Sequence, residues 1–575
     1  MKRLILLPAL AAMILSAHAA DTATAYVLCN DGSAQRYEID SITDITFSDN
    51  NTYICLNTSS GITVTYPVSY VESICFEEPS GTDIQTYTDD FDVATDPADE
   101  TSYTSVSETI TATETTTNDY GDFIENFIED DEAKGTVTVT YSGTTASFTY
   151  NPTSLKNNVV AVASGTSSDV VAYATKKVRF ILTGNTSDGS FKLYAAKKVR
   201  ITLNNVSIAN ADGGAITLPK TMVGTTEYGG KTAYVEIADG TTNTLTDGTS
   251  YTYTTGEDMK GVLFSEGQLI FSGKGTLNVN ANFGHGIASD DYIRIRGGNH
   301  NPVINITTAN KDGISVNDYF LMYGGAVTIQ AADDGVDVSK GYVELNGGKL
   351  VVEAADEGVM TSYEDTDTSI NPQILMKGGL LQITTTGEKA TAVKSAGIYT
   401  QTGGIVHATV KGNGSKAIDS EGSMTLSGGK LVAFAEGTPV YDATDQDLKS
   451  SACLRSKGVL TLDGATVQLK ATGDGAKGIN CVGGLSLSGG SVWVVAEGNR
   501  YSDSTSGEKS RARAVSCDAA IDVSGGILRS RAADNAIYTP SSLTLSGGAL
   551  HAFSSGETSI VASSITHTAG WRVNN

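Results

Sequence analysis

The stretch NKDGISVNDYFLMYGGAVTIQAADDGVDVSKGYVELNGGKLVVEAADEGVM, residues 310–360, states one pattern twice. In each copy an alternating apolar strand runs into two glycines, and a second alternating strand follows. The same signature recurs outward as YIRIRGG, ILMKGG, YTQTGG, MTLSGG, LSLSGG, IDVSGG and LTLSGG. Its second glycines are Gly298, Gly325, Gly348, Gly379, Gly404, Gly429, Gly490, Gly526 and Gly548, with a degenerate LTLDGAT at Gly464. Most steps are about 22 to 27 residues, a period that marks a solenoid, and the longer steps carry Ser/Asp/Lys-rich insertions that read as loops. Alternation assigns Ile293/Ile295, Phe320/Met322, Val343/Leu345 and Ile374/Met376 to the inner face before the glycines. After them it assigns Val327/Ile329, Leu350/Val352 and Leu381/Ile383. Upstream, TKKVRFILTGN and AKKVRITLNNV repeat the strand signal, so the array begins near residue 135 to 160. A propeller blade needs about 40 to 50 residues. The expected fold class is therefore all-β, a right-handed parallel β-helix (solenoid) with a small N-terminal β-module, its hand being the usual one for parallel crossovers. At roughly 24 residues a turn it holds about 16 to 18 turns and, at ~4.8 Å between strands, a length on the order of 80 Å.

Composition agrees with strands and turns: 62 Gly, 40% apolar residues and 18% charged. Met1-Lys2-Arg3, the apolar run Leu4 to Leu15 and Ser16-Ala17-His18-Ala19 read as a signal peptide over 1–19. No cysteine stands at the cleavage site and no later run is long and apolar enough for a membrane helix. The expected location is secreted, periplasmic or cell-surface. Residues 20–78 form the small β-module, in which YEIDSITDITFS is echoed by YPVSYVESICFE. Residues 79–133 form an acidic Thr/Asp/Glu-rich linker ending in YGDFIENFIEDDE, a short amphipathic cap, and residues 134–575 form the β-helix. A net charge of −26 argues against nucleic acid or an anionic membrane surface as a partner and favours cations or neutral ligands. Other cell-surface proteins, met through the N-terminal module, are candidate partners. No CxxC is present, which argues against zinc. Cys481 and Cys517 share a phase relative to the following glycine pair, which fits either a buried thiol ladder or a disulfide.

Aligned on their glycines, the turns GHG, KDG, DDG and DEG place His285, Asp312, Asp334 and Glu357 in one file. Lys311, Asp333 and Asp356 form a second, with Asp337 just beyond and Asp290 and Asp318 closing the corner. Stacked carboxylates repel unless a cation or screening lysines such as Lys311 and Lys340 stand among them. Calcium, which takes six to eight oxygen ligands, is the expected cofactor in an exported protein. Tyr292, Tyr319 and Tyr342 fall at one phase and point outward beside Arg294, with Trp493 outward by the same count. Such rings form either an open stripe that suits stacking on sugar or a ladder that covers the turn or meets a loop. GHGIASDDYIRIR holds fragments resembling the polygalacturonase signature, but in the wrong order and crowded into one turn. No Ser/His/Asp or Cys/His arrangement is visible, and no catalytic residue is assigned.

The runs KVRITLNNVSIANADGGAI, TTNTLTDGTSYTYTTGEDMKGVLFSEGQLIFSGKGTLNVNANFGHGIASDDYIRIRGG, NKDGISVND and ADDGVDVSKGYVELNGGKLVVEAADEGV resemble the secreted bacterial carbohydrate-binding domain family. The resemblance covers about residues 170 to 400 and, more loosely, the later repeats. It implies a β-helix shaped like pectate lyases, calcium at the acidic turns, and binding of cellulose-like or acidic polysaccharide without catalysis. Carried over by motif, Asp312, Asp333, Asp334, Asp337, Asp356 and Glu357 become the calcium ligands. His285 departs from the acidic pattern, and GEKATAV and GNGSKAIDS lack the acid, which confines the site to the middle repeats. The alternatives are a polysaccharide lyase or glycoside hydrolase acting on acidic polysaccharide, and an adhesin-like rod.

Overall fold

Strand after strand pairs with its own counterpart one repeat later. The computed structural model describes residues 24–48, 51–76, 78–79, 83–86, 133–163, 168–253, 255–363 and 371–574. The expected signal peptide, nearly all of the expected linker and its YGDFIENFIEDDE segment lie outside the described residues. Among the described residues the chain is all-β: the helical elements are two short 3-10 turns, Ile39–Ser41 and Thr153–Asn157. The chain divides into two compact units.

One unit comprises the described residues within Val106–Gly422 and Gly428–Ala433. Its first repeat pairs strand Thr136–Ser142 in parallel with Val178–Thr186, which pairs in parallel with Val199–Ala209. Val178 lies against Val199 and Phe180 against Ile201, the register expected from the KKVR echo. In the middle of the unit each repeat is three short strands. His285–Ser289, Tyr292–Ile295 and Val303–Thr308 are followed by Ile314–Val316, Tyr319–Met322 and Ala326–Ala331. Next come Val336–Val338, Tyr342–Leu345 and Lys349–Ala354. All three sets pair in parallel from repeat to repeat.

That register turns sequence alternation into apolar files. Ile293, Phe320, Val343 and Ile374 are successive partners, and so are Ile304, Val327, Leu350 and Leu381; all eight have no exposed surface. Burying one such side chain is worth about 1.5–3 kcal/mol. The corner between the second and third strands requires glycine. Gly325 and Gly348 have φ of 77° and 83°, and a Cβ on Gly348 would lie 2.7 Å from the backbone carbon of Gly324 below it. Upstream of the paired glycines a hairpin interrupts the repeats: Thr221–Val223 pairs antiparallel with Thr226–Tyr228.

The other unit comprises the described residues within Met1–Ser105, Ser423–Ser427 and Phe434–Asn575. Its repeats continue the parallel pairing, as in Leu460–Ala471 with Leu485–Ala496. Two longer insertions are again hairpins, Val440–Asp442 with Asp447–Lys449 and Tyr501–Ser502 with Lys509–Ser510. Cys481 and Cys517 are opposed in register and joined as a disulfide, with 4.6 Å between their Cα atoms. The N-terminal β-module packs onto the last repeat. Strand Thr63–Pro67 pairs antiparallel with Ser564–Asn574, Val64 against Val573. Tyr37, Leu56, Val64 and Tyr66 share one core with Ala549, Trp571 and Val573. Strand Asp83–Thr86, within the stretch read as linker, pairs in parallel with Ser33–Glu38.

Candidate acidic turn site

The short first strand of each middle repeat fixes the residue two places before it. Ile314, Val336 and Val359 are partners in parallel register, so Asp312, Asp334 and Glu357 follow one another along the turn. Backbone bonds hold the turns together, with the Gly313 N–H donating to the Asp334 carbonyl at 2.8 Å and the Gly335 N–H to the Glu357 carbonyl at 2.8 Å. The glycine after each acid has no space for a side chain. A Cβ on Gly335 would stand 2.2 Å from Val352 Cγ1 and 2.3 Å from the Gly358 carbonyl oxygen. Gly335→Ala is therefore expected to lower stability by about 1–3 kcal/mol through overpacking, read as a lower denaturation midpoint, with wild-type stability as the contrary result.

The acids also bond to one another's backbone. Asp334 Oδ1 accepts the Glu357 N–H at 2.8 Å, and Asp312 Oδ1 lies 3.4 Å from the Asp334 N. Basic side chains stand at both ends of this file. His285 Nδ1 is 3.0 Å from Asp312 Oδ2, and Lys394 Nζ is paired with Glu357 Oε1. Asp334, between them, gathers Asp333 and Asp356, and ligand oxygens of the three lie within 4.8 Å of one another. Burial, and then the charge of Glu357, push the Asp334 carboxyl up to about 9, with Asp312 and Asp337 adding to the rise. Asp333 is raised by burial and then by Asp312 and Asp356. Asp356 is raised by burial and then by Glu357, while Lys394 and Lys389 act against the rise. The cluster thus holds more negative charge than its neighbours compensate, with an oxygen-only donor set that suits a hard cation.

Of the residues expected from the sequence, Asp312, Asp333, Asp334, Asp356 and Glu357 come together, and Asp337 acts on Asp334 from the strand that follows. Asp290 is instead engaged by Lys260, and Asp318 stands exposed before Tyr319; neither belongs to the three-carboxylate cluster. Sequence reasoning missed Lys394. Its signal was positional, because Lys394 is the register partner of Met360, itself the partner of Asp337.

The aromatic expectation is corrected. Tyr292, Tyr319 and Tyr342 do stack, with centroids 4.5 and 4.9 Å apart and rings within 14° of parallel. Tyr292 and Tyr342 are nevertheless only 5% and 6% exposed, and Tyr319 is half-buried. Parallel register sets each ring over the next at the strand spacing, so their faces are spent on one another, with Tyr234, Ile270, Leu321 and Tyr323 packed around them. Arg294 is 4% exposed, its guanidinium 4.9 Å from the Tyr323 ring. Trp493 is half-buried, with the Arg529 guanidinium 5.6 Å from its ring. The three tyrosines form a packed ladder and not an open sugar-stacking stripe.

A family model described as "Carbohydrate-binding domain-containing protein" matches residues 166–494 and 457–558. A carbohydrate-binding domain-containing protein of Acetivibrio thermocellus is 29% identical over 129 residues, which is 22% of this chain and 42% of that protein. The match thus spans less than half the length of that relative. A solved structure, described as the polysaccharide lyase-like protein from C. thermocellum in a gadolinium derivative, is similar over 51% of this chain and 97% of its own. Its identity to this chain is 19%, with a TM-score of 0.35.

Proposed function

This chain belongs to the family of carbohydrate-binding domain-containing proteins, and on that premise we propose that it binds polysaccharide without cleaving it, as a secreted or cell-surface protein. In this reading the three-strand repeats coil as a right-handed parallel β-helix. The repeat-by-repeat parallel register supports the coil, and the general hand of parallel crossovers supports its sense. Calcium is the cofactor, held by Asp333, Asp334 and Asp356, with Asp312 and Glu357 flanking. The observation that carries the metal reading is Asp334, a half-buried carboxyl crowded by acids on both sides and raised by burial and by them. Bound calcium supplies the positive charge that this cluster lacks. His285 and Lys394 hold the two flanking acids in place and close the file at either end.

The family favours binding over elimination. A lyase needs a basic side chain placed to take a proton beside the metal; Lys394 is engaged by Glu357, which leaves His285, with Nδ1 on Asp312, and Lys311 as the bases that the product assay addresses. Thermal melts with EGTA and with calcium, repeated with polysaccharides while absorbance for unsaturated product is followed, test the reading. The expected result is a calcium-dependent rise in melting temperature, a further rise with polysaccharide, and no product. Unsaturated product would place the protein among the lyases, and no shift with calcium would remove the metal.

A further inference from the structure

The tyrosine ladder is closed to sugar, but a different group of rings is open. Tyr253 is 55% exposed and Phe283 37% exposed, and both lie against Tyr251, which is 9% exposed. The ring centroids of Tyr251 and Phe283 are 5.0 Å apart, and those of Tyr251 and Tyr253 are 6.2 Å apart. One buried carboxylate builds this arrangement. Asp247, of the TLTDG segment, accepts the Tyr251 hydroxyl at 2.8 Å and the backbone N–H groups of Asn282, Phe283 at 3.3 Å and Gly284 at 2.9 Å. The anchor ring and the turn that carries Phe283 are therefore fixed by the same side chain, 3% exposed. Gly284 lets them meet, since a Cβ there would lie 2.3 Å from the Tyr251 hydroxyl.

Polar groups surround the exposed rings. Tyr253 walls a small depression with Thr217, Glu257 and Asp258. Lys192 is paired with Glu257 at 2.7 Å, and Lys260 with Asp258 at 3.3 Å and with Asp290. Both lysines are thus committed to carboxylates, and acids outnumber them. Such a surface repels a uronate chain. It suits a ligand with apolar C–H faces for the rings and hydroxyls for the carboxylates, which is the chemistry of an uncharged pyranose.

We propose that Tyr253 and Phe283, held by Asp247 through Tyr251, form a stacking shelf for a neutral pyranose chain, independent of the acidic turn cluster. The shelf rests on the polysaccharide-binding reading and assigns the ligand its class. The test is calorimetric titration in EGTA of wild type, Tyr253→Ala with Phe283→Ala, Tyr253→Ala alone and Tyr253→Trp, against hexamers of glucose, xylose and mannose and against oligogalacturonate. Wild type is expected to bind a neutral hexamer, the double variant to bind it on the order of tenfold or more weakly, and Tyr253→Trp to retain it. Tyr253→Ala alone, at the more exposed position, carries the test if the double variant melts early. Equal binding by wild type and the alanine variants overturns the shelf and leaves the polysaccharide reading standing. Binding of oligogalacturonate alone overturns the neutral class. Binding of no saccharide, with or without calcium, overturns both.

Discussion

Titrating calcium into the metal-free protein at pH 7 is expected to release about one proton for each ion taken up by the turn cluster. Asp334, raised to about 9 in the folded state, is protonated at that pH until a cation displaces the proton. Calorimetry in buffers of different ionisation enthalpy reads the release directly. The same group sets a pH dependence. Its folded pKa lies above its unfolded value, near 4, so its stabilising contribution is complete below pH ~4 and is lost as pH rises through about 9. Asp333 and Asp356 are shifted in the same direction and add to the loss. In EGTA the melting temperature is expected to fall across that window, and calcium to restore it most at the alkaline end. Asp334→Asn keeps an oxygen for the Glu357 N–H, so the metal-free variant should be more stable than wild type at pH 9 while losing proton release and most of the calcium affinity. Calcium uptake by Asp334→Asn equal to that of wild type would falsify the assignment.

Trp571→Ala should be the most damaging single truncation at the junction between the N-terminal module and the last repeat. Trp571 is 8% exposed within the core that joins Tyr37, Leu56, Val64 and Tyr66 to Ala549 and Val573. Emptying a buried tryptophan site costs about 3–5 kcal/mol, and here the cavity opens where the antiparallel pairing of Val64 with Val573 holds the module. The expected result is a lower urea midpoint and faster proteolysis within residues 24–76. The chain has two tryptophans, so Trp493→Phe leaves Trp571 as the sole indole reporter of that junction. Unchanged proteolysis in Trp571→Ala would show that the pairing of Thr63–Pro67 with Ser564–Asn574 suffices without the ring.

The repeat was legible because strand alternation and paired glycines are local signals that parallel stacking copies from turn to turn. Ile293, Phe320, Val343 and Ile374 could be placed in one file from the sequence, and they are. The acidic file was legible for the same reason: Asp312, Asp334 and Glu357 hold one phase. Their end-caps were legible only in part, since His285 shares that phase whereas Lys394 reaches Glu357 from the strand position beyond the turn. Exposure was not legible. Alternation says that Tyr292 and Tyr342 face away from the inner files, but not that the rings stack face to face and are buried. The Tyr253 and Phe283 pair escaped notice because neither follows the period; a buried aspartate outside the acidic file brings them together. The contact between the module and the last strand joins residues about five hundred positions apart, and nothing in either segment's local pattern names the other.

That last contact imposes an order on the making of the molecule. The strand Thr63–Pro67 is synthesised about five hundred residues ahead of its partner Ser564–Asn574. At roughly 5–20 residues per second, the module's strands wait about 25 to 100 seconds for the pairing that completes their core. Through that interval Val64 and Tyr66, buried in the finished protein, lack Trp571 and Val573. A chain stopped short of Trp571 therefore carries its defect far from the break, in a module whose core closes only after Ser564–Asn574 has been made.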